Sequence, residues 1–389
     1  MLWLTTQNVD SEAWRRILEF ANEDWAMDCI IKRHGEPLDE STRSNYRKQA
    51  SQIRVCILQG NEYFAAARSA SIITSPNHLY YGMVSLCSAI MLLNGTGECS
   101  LDWLRRNRKN RNHGLDFSTD ASAKTCAKGL SILEATRVTV SSRGHFLNWY
   151  STLRRDCLVY ATVTRIQGNR RNINKEAVGS EIISTPVEIV DKTFNLVQLI
   201  RVLPDMMFDA RRYGVAMACS RVNYEIFYFL DGGHHEHRWR IHGAGTRIFL
   251  EKILAYFAGP PNIAHLWKIS DAEQSDTCIV SINHPHSNPP VHFKFPTIRE
   301  TLNNDQIAYA TDAIGTPELA DAYMLCFALS MLSRYYPDLW IKCIESRCRG
   351  AQLIDYVLYV LLQKFPVLAL SALLGEDVII STHRAPWYD

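Results

Sequence analysis

NEYFAAARSASIITSPNHLYYGMVSLCSAIMLLNGTGECSLDWLRRNRKNRNHGL, residues Asn61–Leu115, decides how the chain is read. Its first part continues an apolar stripe of Ile53, Cys56, Ile57, Tyr63, Phe64 and Ala67, spaced as one face of a helix that runs from the Asp39-Glu40-Ser41 cluster to about Ala70. Gly60 is a local weakness inside it, worth roughly 1 kcal/mol against alanine. Ser75-Pro76 then starts a second helix: the serine is expected to accept from an orphan amide, and proline suits the first turn. From Leu79 to Leu93 this helix is apolar on nearly every face, so it should be central and buried, with Asn94-Gly95 stopping it. Ser100 is expected to cap a short helix through Leu101, Trp103 and Leu104. After it come Arg105, Arg106, Arg108, Lys109 and Arg111, five cations in seven residues, closing on Asn112-His113-Gly114.

Working outward, Asp10-Ser11 and Gly35 bracket a first helix through Trp14, Ile17, Leu18, Trp25 and Ile30, and another helix is expected over about Ala121–Leu133. The first part is thus all-helical. Near Ala135 the period changes. Arg137–Val140, Leu158–Ile166, Val215–Leu230, Glu236–His242, Thr277–Asn283 and Val291–Phe295 read as strands, with GNRRNIN (Gly168–Asn174) as a loop or basic surface. Short helices are expected over Phe194–Asp205 and Thr246–Phe257. Helices return near Ala320–Tyr335, Pro337–Ser346 and Leu353–Lys364. The fold class is α+β: a helical domain over 1–133, a mixed α+β part with an antiparallel sheet over 134–312, and a C-terminal helical block over 313–389.

Bulk numbers bound the function. A hydrophobic share of 47% over 389 residues allows a large core. A net charge of +2 leaves no global field toward nucleic acid or membrane, so such binding must be local. The 11 cysteines are scattered without a CxxC pair, which predicts a reducing compartment and free thiols. MLWLTTQNVD lacks the basic-then-apolar order of a signal peptide, and Val357–Leu374 is interrupted by Gln363, Lys364 and Pro366. The expectation is a cytoplasmic protein with no membrane partner.

Several short pieces, in order, resemble the YaaC-like family: Ser75-Pro76 with Leu79-Tyr80-Tyr81-Gly82-Met83, Leu86 and Ala89; His113-Gly114-Leu115; Arg143-Gly144-His145-Phe146; Phe194 with Leu199-Ile200 and Leu203-Pro204-Asp205; and Arg334-Tyr335-Tyr336-Pro337-Asp338-Leu339-Trp340. This resemblance implies an architecture over roughly Gln49 to the C-terminus rather than a particular chemistry. Ala65–Leu93, with paired tyrosines in a buried helix followed by glycine and then histidine, is also similar to the helical hairpin of HEPN domains. Those bundles, often dimeric, occur in toxins and phage-defence proteins. Many carry an Arg-x4–6-His motif for metal-independent RNA cleavage, usually at the start of a late bundle helix. Arg108-x4-His113 and Arg106-x6-His113 both fit that spacing, although here the match falls in a loop.

The residue types suit that chemistry. Histidine titrates near neutrality and can take the proton of a ribose 2′-hydroxyl. The guanidinium fork binds phosphate oxygens and keeps its charge. Arg106, Arg108 and His113 are therefore the catalytic candidates, and Arg105, Lys109 and Arg111 the nucleic-acid-binding ones; the bland alternative is a solvated basic loop. Eight of the 13 histidines lie between His234 and His292, and His235-x-His237 and His284-x-His286 could each put two imidazoles on one strand face. Gly232-Gly233 and Pro289-Pro290 instead favour two polar hairpin turns, and no metal or cofactor is expected. Gly243-Ala244-Gly245 before Thr246 is a weak anion site, Asp338 reads as a first-turn acid, and Tyr80 and Tyr81 as core. Expected partners are RNA or another nucleic acid, and a partner protein or a second copy. The functional expectation is a nucleic-acid-associated protein, a metal-independent HEPN-like ribonuclease or toxin component of a stress or phage-defence system. The alternative is a non-catalytic helical interaction subunit.

Overall fold

The computed structural model describes the chain except residues 1, 7, 96–99, 107–111, 123–124, 154, 184–187, 218, 243–266, 272–276, 286–297, 303–305, 310–315, 377 and 382–389. The expected helix over Thr246–Phe257, the strand over Val291–Phe295 and the Gly243-Ala244-Gly245 turn lie outside the described residues.

The chain is α+β, with helices at both ends and sheet between them. It opens with β1 (Leu2–Thr5) and α1 (Val9–Ile17), the latter capped by the Asn8 side chain accepting from Ser11 N. A short 3-10 turn (Leu18–Ala21) follows, then α2 (Glu23–His34). One helix was expected from Asp10 to Gly35. Asn22 divides it, because its backbone leaves the helix and its side chain accepts from Asp24 N and Trp25 N. Helix α3 (Glu40–Ser69) starts at Asp39 and runs unbroken through Gly60. Helix α4 (Ser75–Asn94) follows, and here the cap differs from expectation: Thr74 precedes the helix, and the Ser75 hydroxyl donates to Ala67 O.

Helix α4 is buried on almost every face, as its composition requires. Helices α3 and α4 approach closely because two glycines let them. A Cβ on Gly82 would meet Phe64 Cδ2 at 2.5 Å, and one on Gly60 would meet Leu86 Cδ2 at 3.1 Å. Gly60 therefore serves packing, despite its cost in helix propensity. The α4 C-terminus is satisfied from two sides: Gln49 Nε2 donates to Leu92 O (3.1 Å), and His34 Nε2 lies 3.0 Å from Leu93 O.

Next come α5 (Leu101–Arg106) and β2 (Leu115–Thr119), so the first part is not all-helical. The helix expected over Ala121–Leu133 shrinks to α6 (Ser131–Ala135). Ser122 and Thr125 spend their hydroxyls on each other and on Ser122's own backbone, holding a turn in place of a helix start. Strand β3 (Thr136–Val140) and α7 (His145–Tyr150) lead into the long strands β4 (Arg155–Gln167) and β5 (Arg170–Ile183). GNRRNIN is thus a strand turn followed by a strand. Gly168 takes positive φ, its amide donates to Asp231 Oδ2 at 2.6 Å, and Arg170 and Arg171 are exposed.

Strand β6 (Thr193–Asn195) precedes α8 (Leu196–Ile200), whose Asn195 and Gln198 form a reciprocal capping box. Pro204–Met206 is a 3-10 turn, and α9 (Met207–Arg212) follows. Then come β7 (Cys219–Phe229), β8 (His234–His242), β9 (Trp267–Asp271), β10 (Thr277–Pro285), β11 (Ile298–Glu300) and β12 (Gln306–Tyr309). The chain closes with α10 (Glu318–Tyr335), α11 (Pro337–Ser346), α12 (Arg349–Leu374) and β13 (Val378–Ser381). Asp338 sits in the first turn of α11, as a dipole-favoured acid should.

Helix α12 continues through Pro366, where a break was expected. Proline removes one backbone hydrogen bond there, yet the residues on both sides of it are buried and packing holds the helix together. Among the described residues it is the one helix long and apolar enough to cross a membrane, and 78% of its most apolar window is buried inside the protein.

By contact the chain forms two compact units. The first comprises Met1–Arg155, Ile183–Ala216 and Thr316–Thr382; the second is built chiefly from Asp156–Ile182 and Met217–Gly315. The helical segments 1–133 and 313–389, set apart in the sequence, thus fall largely in one unit. Within it, β2-β3-β6 make an antiparallel sheet, and β1 pairs in parallel with β13, with Leu4 opposite Ile380. In the second unit the order is β11-β12-β7-β8-β10-β9, with β4 parallel to β7 and paired to β5.

Candidate functional site

Two loops that are apart in sequence are stitched together by backbone. His145 N donates to Asn112 O and Phe146 N to His113 O, both at 3.0 Å, and Ser141 N to Gly114 O at 3.1 Å. The contact requires two glycines in the left-handed region: Gly114 at φ +77 and Gly144 at φ +127. A Cβ on Gly144 would lie 2.5 Å from the Gly114 backbone. The stitching brings His113 and His145 onto the same face of α4, which offers Tyr80 to one and Ser88 to the other.

A chain of side-chain contacts joins them. Tyr80 Oη lies 2.8 Å from His113 Nδ1 and 3.3 Å from Tyr323 Oη. Tyr323 Oη lies 3.3 Å from His145 Nδ1, and His145 Nε2 lies 2.9 Å from Ser88 Oγ. Ser88 Oγ also donates to Val84 O at 2.8 Å. That carbonyl can only accept, and it fixes the direction of the chain. Ser88 spends its proton on Val84, so it accepts from His145 Nε2–H. His145 Nδ1 then carries a lone pair and accepts from Tyr323, which accepts from Tyr80, which accepts from His113 Nδ1–H. Every hydroxyl donates once and accepts once. The two 3.3 Å links are longer than an ordinary O–H hydrogen bond and so the weakest in the chain.

This order leaves His113 Nε2 as a base with no hydrogen-bond partner among the described residues. Charge agrees with it. Burial, then the Arg334 cation, hold the His113 pKa below its ordinary value. Burial, then His113, press His145 down to about 4. Both are neutral at pH 7. Burial raises the phenols of Tyr80 and Tyr323, which keep their protons and act as donors. The rings are packed as well as bonded: His113 lies 5.5 Å from Tyr80 and 5.7 Å from Phe327, centroid to centroid.

Of the expected cations only the Arg106 side chain is described, and it lies elsewhere. Arg106 is exposed on α5. That helix is tied to α3, where Lys48 pairs with Asp102 and Leu101 N donates to Gln52 Oε1 at 2.9 Å. This part of α3 adjoins the C-terminal end of α4, through Gln49 and Leu92. Tyr80, which holds His113, is twelve residues earlier on α4, about 18 Å along its axis. No hydrogen bond joins Arg106 to His113 among the described residues. Arg108, Lys109 and Arg111 lie outside the described residues, as does the side chain of Arg105. Among the described residues the cation beside His113 is Arg334 of α10, packed over the rings of Tyr80 and Tyr81 at 5.9 and 5.4 Å.

The histidine cluster is only partly a pair of polar turns. His234 is exposed and stacked on Phe229 at 4.6 Å, but His235 and His237 are buried on strand β8. Their rings meet at 4.9 Å, and His237 Nδ1 bonds the Tyr224 hydroxyl. His284 pairs with His235 in backbone register, while His265, His286 and His292 lie outside the described residues. Among the described residues no group of three or more His, Cys, Asp or Glu is placed to hold a metal.

The match to a family model runs over residues 18–373 and bears the description YaaC-like Protein. The chain belongs to the YaaC-like family. Every family piece in the site, from Leu79-Tyr80-Tyr81 to Arg334-Tyr335-Tyr336, lies inside the matched span. No curated protein and no solved structure matches the chain.

Reading the sequence for chemistry missed Tyr80, Ser88, His145, Tyr323 and Arg334 as partners of His113. A signal for three of them was present. Tyr80-Tyr81, Arg143-Gly144-His145 and Arg334-Tyr335-Tyr336 are all family pieces, and the glycine beside His113 and beside His145 marks close backbone contact. Nothing in the sequence singles out Tyr323 or Ser88.

Proposed function

We propose that this YaaC-like protein is a nucleic-acid-associated protein of the cytoplasm that cleaves RNA without a metal ion, with His113 as its proton-transfer group. The observation that carries the reading is the direction of the hydrogen-bond chain, which ends with an unprotonated Nε2 on a neutral His113. In the step, His113 Nε2 takes the 2′-hydroxyl proton and O2′ bonds to the adjacent phosphorus. The P–O5′ bond breaks, and O5′ leaves with a proton from water or from an imidazolium. The products are a 2′,3′-cyclic phosphate and a 5′-hydroxyl. The hairpin of α3 and α4, with Tyr80 and Tyr81 on a buried helix, is in keeping with a HEPN-like origin and with a role as a toxin or phage-defence component. Arg105, Arg106, Arg108, Lys109 and Arg111 would dock the RNA backbone, with strong salt dependence.

A second reading has its own support. Arg106 is exposed and anchored far from His113, which suits a non-catalytic interaction subunit that docks nucleic acid or an acidic partner protein through its basic run.

One experiment separates the two. Labelled single-stranded RNA is incubated with purified protein, with and without chelator, beside His113→Ala. The nuclease reading expects cleavage in chelator that leaves a cyclic phosphate, and loss of at least about a hundredfold in His113→Ala. Cleavage that stops in chelator would sink it. Equal, salt-sensitive binding by both proteins without cleavage supports the docking reading instead.

A further inference from the structure

Arg334 has no carboxylate partner among the described residues. Several other exposed and half-buried arginines do find one: Arg16 pairs with Glu12, Arg68 with Asp10, and Arg240 with Glu225. Arg334 is half-buried, and its hydrogen bonds go to neutral atoms only. Nη1 donates to the Tyr81 hydroxyl at 2.7 Å, and the longer contacts run to Ser330 O, Ser330 Oγ and Met331 Sδ. At least one N–H on Nη1 remains unspent. The guanidinium is held among three tyrosine rings, Tyr80, Tyr81 and Tyr335, at 5.3 to 5.9 Å. Tyr335 is 63% exposed and Tyr81 36%, so this cradle has an open side. The base of the candidate site stands next to it, since Tyr80 packs against both the guanidinium and the His113 ring.

A cation kept without a counter-charge, oriented by a phenol and set beside a neutral imidazole, is built to receive an anion. An exposed aromatic ring alongside it is a stacking surface for a base. We propose that Arg334 binds a phosphate oxygen of single-stranded RNA at the His113 site, and that the adjoining base stacks on Tyr335. The proposal rests on the reading of this site as one for RNA and assigns the phosphate cation to α10 rather than to the run Arg105–Arg111. Tyr81 positions the guanidinium and does not itself need to touch the ligand.

The test uses the full chain and a 2′-O-methyl oligouridylate, which binds as RNA does but lacks the hydroxyl needed for cleavage. Affinity is measured by fluorescence anisotropy, and the His113 imidazole is followed by NMR. Arg334→Met is expected to weaken binding roughly ten- to hundredfold. Arg334→Lys keeps the charge and the stem without the fork, and should fall between the two. Tyr335→Ala should cost roughly fivefold or more. The oligonucleotide should move the His113 resonance in wild type and leave it unmoved in Arg334→Met. Affinity unchanged in both Arg334 variants, with Arg106→Ala alone losing binding, would overturn the proposal. The two readings fail separately. Arg334-dependent binding without any cleavage of ordinary RNA removes the nuclease reading and keeps this one. His113-dependent cleavage with binding indifferent to Arg334 does the reverse.

Discussion

His145 shows at the scale of one residue what burial costs and what it fixes. Both its ring nitrogens are engaged, one by Tyr323 and one by Ser88, and the ring is neutral in the fold. Its pKa falls from the ordinary 6.5 to about 4. Because the folded value is depressed, the unfolded chain binds a proton that the native chain refuses. Stability contributed by this residue is therefore whole above about pH 6.5 and is lost as the pH falls toward 4, by up to about 3 kcal/mol. His113 shifts in the same direction and adds to the loss. Denaturant melts between pH 7.5 and 4.5 should show this fall, and His145→Gln, which can bond both neighbours without titrating, should flatten it. An unchanged slope in that variant would mean that other groups carry the acid sensitivity. The same neutrality is what sets the tautomers: a charged His145 would donate from both nitrogens and turn the Tyr323 proton back toward Tyr80.

At the scale of elements, the close contact between α3 and α4 rests on Gly60 and Gly82. Gly82→Ala puts a methyl group 2.5 Å from a Phe64 ring that is fully buried and wedged between Trp14 and Phe365. The ring cannot yield cheaply, and the expected loss is about 1–3 kcal/mol by chemical denaturation, although alanine is the better helix former. A gain in stability would show that the helices can part without cost. The elements also show what the sequence could and could not convey. Helices α3, α4, α10 and α11 follow from apolar spacing, from Asp39 and from prolines at Pro76 and Pro337 in first turns. Strands β3, β7, β8 and β10 follow from branched and aromatic runs. The division of the first helix at Asn22 and the loss of helix over residues 125–130 turn on local side-chain bonds, which compete with helix at short range and leave periodicity intact. Strand β5 was hidden because its start is polar and exposed. Pro366 misled in the other direction, since burial on both sides outweighs one missing hydrogen bond. The site was the least legible. His113 could be singled out, but among the described residues the cation beside it comes from α10 and its hydrogen-bond chain runs through Tyr323, neither of which any local pattern connects to it.

At the scale of the molecule, the first compact unit is assembled from three separate lengths of chain, and its two extremes meet in the β1–β13 pair. Leu4, Val378 and Ile380 of that pair are buried. Deleting Leu2–Thr5 should cost on the order of 2–3 kcal/mol, mainly through Leu4 and the apolar surface it covers, and lower the denaturation midpoint. A shortened protein as stable as the full chain would mark the pair as an ornament. The separation of parts has a further consequence, which concerns time. Tyr80 and Tyr323 touch, yet they stand 243 positions apart in sequence. At ordinary rates of translation the ribosome needs roughly 12–50 s to make that stretch. For most of that interval the nascent chain carries His113 without Tyr323 or Arg334, and the apolar helix α4 without the α10 and α12 helices that cover it. A chain abandoned before Thr316 leaves the ribosome with the histidine and without the arginine, so synthesis itself withholds the site until the product is nearly whole.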